Sequence, residues 1–327
     1  MGKIRRLTIY SHKIKKSKKI LIYSDLHLGF KDRSNIQEVF KIPELSPELY
    51  DYILIPGDIV HAGKSLELPS TQKSIVDKLS ILTGNTKTFI SLGNHDQYER
   101  FGFENWAAYY EDAAISTFNC LPNMKILDIN EKVELGDVEL SAINNSVYYY
   151  LEKHEAKEFF LKEYNLRANK MSFTPDVFSI LLTHDPKSIY RIGKETGSCL
   201  VPNTDLIVSG HMHNGFTPNF LQSKLKGRGF LSPDYTLFPD IAYGVKEIGD
   251  TLHLVNGAVL VGTNNDRILL SEKGVNILTI TQNLPVNQRA NVVISMDVSH
   301  VEGDISVLLD AIGAIDGVSS AKLLAIE

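Results

Sequence analysis

Short apolar runs recur along the first two-thirds of the chain, and most of them stop at a polar cluster. Residues 18–24, 51–56, 88–92, 178–182 and 204–209 each read as a buried strand, since they are short apolar runs, too short for helices. Residues 7–10 precede them as a first edge strand. Between the second and third of these runs, Ile75, Val76, Leu79 and Leu82 recur with the helical period, which predicts a helix over 72–82. The aromatic stretch 101–114 and the charged stretch 153–166 also read as helices. Residues 124–129, 132–135 and 138–143 alternate as short strands, and Gly136-Asp137 is a hairpin turn. Strands follow over 251–260 and 274–281. Residues 25–30 form the loop after one strand, residues 37–49 are irregular with two prolines, and residues 227–243 form a loop over the strand ends. Strands interleaved with helices early and hairpins later predict an α/β fold of two packed sheets with helices outside.

The last segment has a different rhythm. A polar linker at 282–288 separates a main domain, residues 1–282, from a strand at 291–298, a helix at 303–315 and a strand at 318–326. That is one βαβ unit over 290–327, half of a ferredoxin-like domain, and it weakly resembles half of an ACT-type regulatory module. A lone half buries its sheet poorly. It is expected to dock on the main domain or to pair with another copy, making a homo-oligomer.

The polar clusters are Asp25-Leu26-His27, Gly57-Asp58, Gly93-Asn94-His95-Asp96, His184 and Gly210-His211-Met212-His213. Each sits just past a predicted strand end, where α/β proteins place their sites. Asp25 and His27 lie two apart, so in an extended segment both point to one side, and His211 and His213 repeat the geometry. Two carboxylates, four histidines and one asparagine thus make a candidate ligand set for Mn, Fe, Zn or Co. Two carboxylates against two divalent ions leave the site about +2, which suits a phosphate ester and acidifies a bound water. Asp58 lies between the other ligands along the chain and is the natural bridge between two ions. His12, His61, His154, His253 and His300 read as packed or surface residues, although His61, three past Asp58, can line the pocket.

Composition narrows this further. A chain of 327 residues makes one large domain or two. No run of 18 apolar residues exists, and the basic start leads into too short an apolar run for a signal peptide. The expectation is a cytoplasmic protein without a membrane span. Cys120 and Cys199 are the only cysteines, so disulfides and zinc-thiolate ligation are not expected. Eight of the 34 basic residues lie within 1–19, which holds no acid. They read as a solvated basic leader, and the remaining 26 face 39 acidic residues. So acidic a body does not favour nucleic acid as a partner.

The ordered set Asp25-x-His27, Gly57-Asp58, Gly93-Asn94-His95-Asp96, His184, Gly210-His211-x-His213 resembles the calcineurin-like metallophosphoesterase superfamily. The motifs cover residues 18–215, and no position is missing. The resemblance implies a four-layer α/β/β/α sandwich and a dinuclear centre of two divalent ions, with manganese first and iron or zinc next. It implies that Asp25, His27 and His213 ligate one metal, that Asn94, His184 and His211 ligate the other, and that Asp58 bridges. It further implies that His95 protonates the leaving alkoxide and that Asp96 orients His95. The activity implied is hydrolysis of phosphomono- or diesters by in-line attack of a metal-bridging hydroxide, with a small-molecule or nucleotide phosphoester as substrate. A repair-type nuclease and a non-catalytic metal-binding scaffold are the alternatives. Tyr98, Phe101, Phe103, Trp106, Tyr109 and Tyr110 either stack on a substrate ring or form helix core.

Overall fold

The computed structural model describes residues 3–29, 41–97, 111–127, 132–143, 145, 149–150, 162, 164–217, 221, 224–225, 227–233, 236–259, 274–282 and 324–326. The aromatic run 98–110, most of the 153–166 helix, and the 291–298 strand and 303–315 helix of the C-terminal unit fall outside these residues.

In chain order the strands are β1 (Lys3–Tyr10), β2 (Lys18–Ile22), β3 (Tyr52–Pro56), β4 (Thr88–Ser91), β5 (Met124–Ile126), β6 (Val133–Glu134), β7 (Val138–Ala142), β8 (Phe178–Leu182), β9 (Leu206–Ser209), β10 (Gly244–Ile248), β11 (Thr251–Val255), β12 (Gly274–Thr281) and β13 (Leu324–Ile326). The α-helices among the described residues include α1 (Pro69–Thr83), α2 (Asn94–Gln97), α3 (Glu111–Phe118) and α4 (Pro186–Thr196). One sheet has the order β13-β1-β12-β2-β3-β4-β5 and the other β10-β11-β9-β8-β7-β6. Parallel pairs run from β2 through β3 and β4 to the edge strand β5 in the first sheet and form the middle of the second, β7-β8-β9-β11.

Alternation along the strands sorts side chains between cores. Ile20, Ile22, Leu54, Phe89 and Leu278 of the first sheet pack against Leu140, Ile180, Leu182, Leu206 and Val208 of the second. Leu21, Ile53, Ile55 and Ile90 point the other way, against Ile75, Leu79 and Leu82 of α1 and Phe118 of α3. Each of those three α1 side chains is almost fully buried and contributes roughly 1.5–3 kcal/mol by leaving water. On the far face of the second sheet, Ile189 of α4 packs against Leu181, Ile207 and Ile248. The two sheets therefore lie face to face with helices against their outer faces. No helix among the described residues is long and apolar enough to cross a membrane.

Four local features depart from the sequence reading. β1 lies inside the sheet between β12 and β13, rather than at an edge. The basic N-terminal run is built into the fold instead of forming a solvated leader. Residues 3–10 pair along their whole length with β12, Lys13 holds both carboxylate oxygens of Asp205 at 3.0 and 2.9 Å, and the backbone of Lys15 and Lys16 donates to Asp137. Helix α4 was not anticipated, although Asp185 caps it by accepting from the Lys187 N–H and Pro186 occupies its first turn. Its mid-helix Gly193 weakens the signal, but a Cβ there would collide with Ile248 of β10. Strand β10 was also missed, because its face is half-exposed and carries Lys246 and Glu247.

Candidate metal centre

Every predicted ligand emerges from the carboxyl end of a parallel strand: Asp25 and His27 after β2, Asp58 after β3, Asn94 after β4, His184 after β8, and His211 and His213 after β9. All seven are buried. Asp25, His27, Asp58, His211 and His213 have positive φ, between 45° and 67°. Non-glycine residues adopt this conformation only where their surroundings over-determine it, and such residues gather at functional sites. The motif glycines have a steric reason. A Cβ on Gly57 would collide with His184, and one on Gly93 with the backbone and carboxylate of Asp58. One on Gly210 would stand 2.9 Å from Asp25 Oδ2. Close approach of these loops is what brings the ligand atoms together.

The atoms form two groups. In one, His27 Nε2 and His213 Nε2 are 3.2 Å apart, His213 Nε2 is 3.4 Å from Asp25 Oδ1, and His27 Nε2 is 3.7 Å from Asp58 Oδ2. In the other, His184 Nε2 lies 3.3 Å from the same Asp58 Oδ2, 3.1 Å from Asn94 Oδ1 and 3.2 Å from His211 Nδ1. Asp58 belongs to both groups. Donors bound at about 2.0–2.2 Å to one cation stand about 3.0–3.5 Å apart in tetrahedral or octahedral order, close to the separations seen. The chemistry fits as well. His184 Nδ1 donates to the Pro56 carbonyl at 2.8 Å, which turns Nε2 toward the Asp58 and Asn94 oxygens. Lone pairs facing lone pairs in a buried site call for a positive charge between them.

In the metal-free fold a proton on His184 meets part of that demand. Burial opposes a charged His184, but Asp58 and Asp25 outweigh it and raise its pKa to about 10. Burial likewise opposes an ionised Asp58, yet His184, His95 and His27 hold its carboxyl well below the usual range. His211 is pushed well down, by burial first and then by His184 and Lys187. It stays neutral, as a ligating imidazole must.

His95 sits at the edge of this cluster, with its ring 4.6 Å from that of His27. Its backbone N–H donates to Asp58 Oδ1 at 2.9 Å. The expected orienting role of Asp96 is not what the structure shows. His95 Nδ1 donates to the carbonyl of His61 at 2.7 Å. The Asp96 oxygens instead accept the N–H groups of Val60 and Gly93, at 2.9 and 2.8 Å. Asp96 thereby ties the loop after β3 to the loop after β4. Burial and the neighbouring Asp58 raise its pKa to about 7.

His61 is buried and stacks on His95, with ring centroids 5.4 Å apart. Its position three residues past Asp58 was the only signal of this. His253 is a packed core residue, as expected: Nε2 meets Ser209 Oγ at 2.7 Å, and burial lowers its pKa to about 3. Tyr150, whose ring is 5.4 Å from that of His211, carried no sequence signal. The described part of the 227–243 loop hangs from the turn that carries His213, since Phe230 and Leu231 both donate to the Gly215 carbonyl.

A family model described as calcineurin-like phosphoesterase matches residues 18–215. An uncharacterized metallophosphoesterase of Campylobacter jejuni is 26% identical over 68% of this chain and 51% of its own length. One from Helicobacter pylori is 31% identical over 65% of this chain and 49% of its own. The chain spans about half the length of these relatives. A Clostridium botulinum protein named for an ACT domain is 34% identical over 90 residues, 28% of this chain and 60% of its own. A dimetal phosphatase structure from Danio rerio, 9% identical, covers 74% of this chain and 87% of that one with a TM-score of 0.40, too loose a likeness to argue from.

Proposed function

The chain belongs to the calcineurin-like phosphoesterase family, and from that premise we propose that it is a dinuclear-metal hydrolase of phosphomono- or diesters. One observation carries the reading: Asp58 is shared between two groups of ligand atoms, Asp25, His27 and His213 on one side and His184 and His211 on the other. Asn94 joins the second group through its side-chain oxygen. Two divalent ions held there would supply Lewis acidity and a water acidic enough to attack phosphorus at neutral pH. Manganese is our choice, and the same oxygen and imidazole donors accept iron or zinc.

The chain's own residues account for the rest. Asp25 and Asp58 supply two negative charges against four positive ones, which leaves a field that binds an anionic phosphoester. His95, with Nδ1 committed to the His61 carbonyl, presents Nε2 and holds a proton there for the departing oxygen. Asp96 acts by fixing the loops that carry Asp58 and His95. The substrate we favour is a small-molecule or nucleotide phosphoester. Two free cysteines, Cys120 and Cys199, fit a reducing compartment, and we place the enzyme in the cytoplasm. We assign residues 1–282 to the hydrolase domain and 290–327 to a βαβ appendage.

The test is a phosphoester panel on the manganese-loaded protein: nitrophenyl phosphate, a bis-nitrophenyl ester, cyclic nucleotides and single-stranded DNA. Asp58→Ala is expected to lose both metal and activity. His95→Ala is expected to keep its metal and lose turnover by about 10²–10⁴-fold, least with the acidic nitrophenol leaving group. Equal losses across leaving groups would remove His95 as the acid. No hydrolysis of any ester by the loaded protein would leave a metal-binding scaffold.

A further inference from the structure

The first ligand group depends on Asp25, whose φ of 52° is a conformation that its neighbours must enforce. Downstream, the constraint comes from the site itself: the His211 N–H donates to both Asp25 carboxylate oxygens, at 3.0 and 3.2 Å. Upstream, it comes from residues outside the nine predicted site residues. Ser24, the residue before Asp25, is fully buried. Its carbonyl accepts the Val259 N–H at 3.1 Å, and its hydroxyl donates to the Gly257 carbonyl at 3.3 Å. The same hydroxyl accepts from Asn256 Nδ2 at 2.9 Å. The other Nδ2 proton of Asn256 goes to the Gly257 carbonyl at 3.0 Å. Asn256 Oδ1 accepts from Asn276 on β12. Every polar atom of this buried amide is engaged.

The loop after β11 braces the second sheet as well. The Asn256 N–H donates to the carbonyl of Ser209 at 2.8 Å, just ahead of Gly210-His211. A Cβ on Gly257 would collide with Asn214, the neighbour of His213. One short loop thus stands behind the point where ligand loops of both sheets meet.

We propose that Asn256 is a positioning residue of the metal centre: through Ser24 and Asn276 it holds Asp25 where its carboxylate can join His27 and His213. The inference rests on the dinuclear reading above. A fully satisfied buried network rigidifies what it touches, and groups that orient metal ligands typically affect metal affinity by about 10–100-fold. A residue that served packing alone would loosen both ligand groups or neither.

The experiment is stepwise Mn²⁺ binding, by calorimetry and electron paramagnetic resonance, on the full chain and on Asn256→Leu and Ser24→Ala. A His213→Ala reference identifies the step that belongs to the Asp25 group. The expected result is an affinity about 10–100-fold weaker at that step, with the other step unchanged. Unchanged affinities at both steps, or equal losses at both, would overturn the inference. If Asn256→Leu does not fold, Ser24→Ala decides, since it removes a single oxygen. A wild-type chain that takes up fewer than two ions sinks the dinuclear reading itself. Two ions in the wild type and unaltered variants sink only the role of Asn256.

Discussion

Glycine is where residue chemistry and site geometry meet in this chain. Gly93 was legible as the hinge after an apolar strand. That it must be glycine follows only from Asp58, 35 residues earlier in the chain, which packs into the space a Cβ would fill. Gly93→Ala is therefore expected to cost roughly 2–3 kcal/mol and to abolish manganese uptake, read by urea denaturation and metal analysis. Wild-type metal content in that variant would mean that the loops can part without loss of the site. The nine site residues were recognisable by type and order, because metal and proton chemistry draw on few side chains. The work of Asp96 was not, because its partner Val60 is 36 positions away in sequence. Asn256 and Ser24 were invisible for the same reason: an asparagine and a serine carry no signal until their partners are known.

Elements were read best where burial is complete. β4, β8 and β9 are buried throughout, β3 from Ile53 on and β2 from Ile20 on, and they appear as short, mostly apolar runs, which length alone separates from helix. Helix α4 shows the opposite case. Its glycine interrupts the period, so only its ends announce it. Asp185→Ala is expected to cost about 1 kcal/mol, measurable as a shift in the urea midpoint without a change in slope. β13 matters for a different reason. It pairs antiparallel with β1 through Leu7, Thr8 and Ile9, so a chain ending at residue 282 leaves all of β1 as an open edge. Exposed edges recruit other chains, and the expected outcome is self-association and a lower melting temperature on sizing and thermal denaturation. A monomer of unchanged stability would show that this pairing contributes little.

At the scale of the molecule, folding, protonation and metal uptake are one linked equilibrium. The raised pKa of His184, about 10 against an ordinary 6.5, makes the metal-free fold more stable by an amount fully present below pH 6.5. That amount is lost as pH climbs through 10. An ion arriving at Nε2 displaces that proton, so manganese affinity is expected to rise with pH across this window and binding to release protons. Calorimetry at pH 8 in buffers of different ionisation enthalpy measures the release. A heat independent of buffer would mean that His184 is already neutral. The strand β12 runs antiparallel to β2 and ends beside Lys18, so Thr281 and Leu324 both lie at the pole opposite the metal centre. The sequence by itself determined the sheet-forming runs, the order of the candidate ligands and the donor types they offer a metal, since local burial and side-chain type suffice for those. Only the tertiary structure decided that the first strand lies inside its sheet, that the His61 carbonyl holds His95 Nδ1, and that a remote asparagine stands behind Asp25. Those facts depend on contacts between residues far apart in the chain, and the packing of the two sheets creates them.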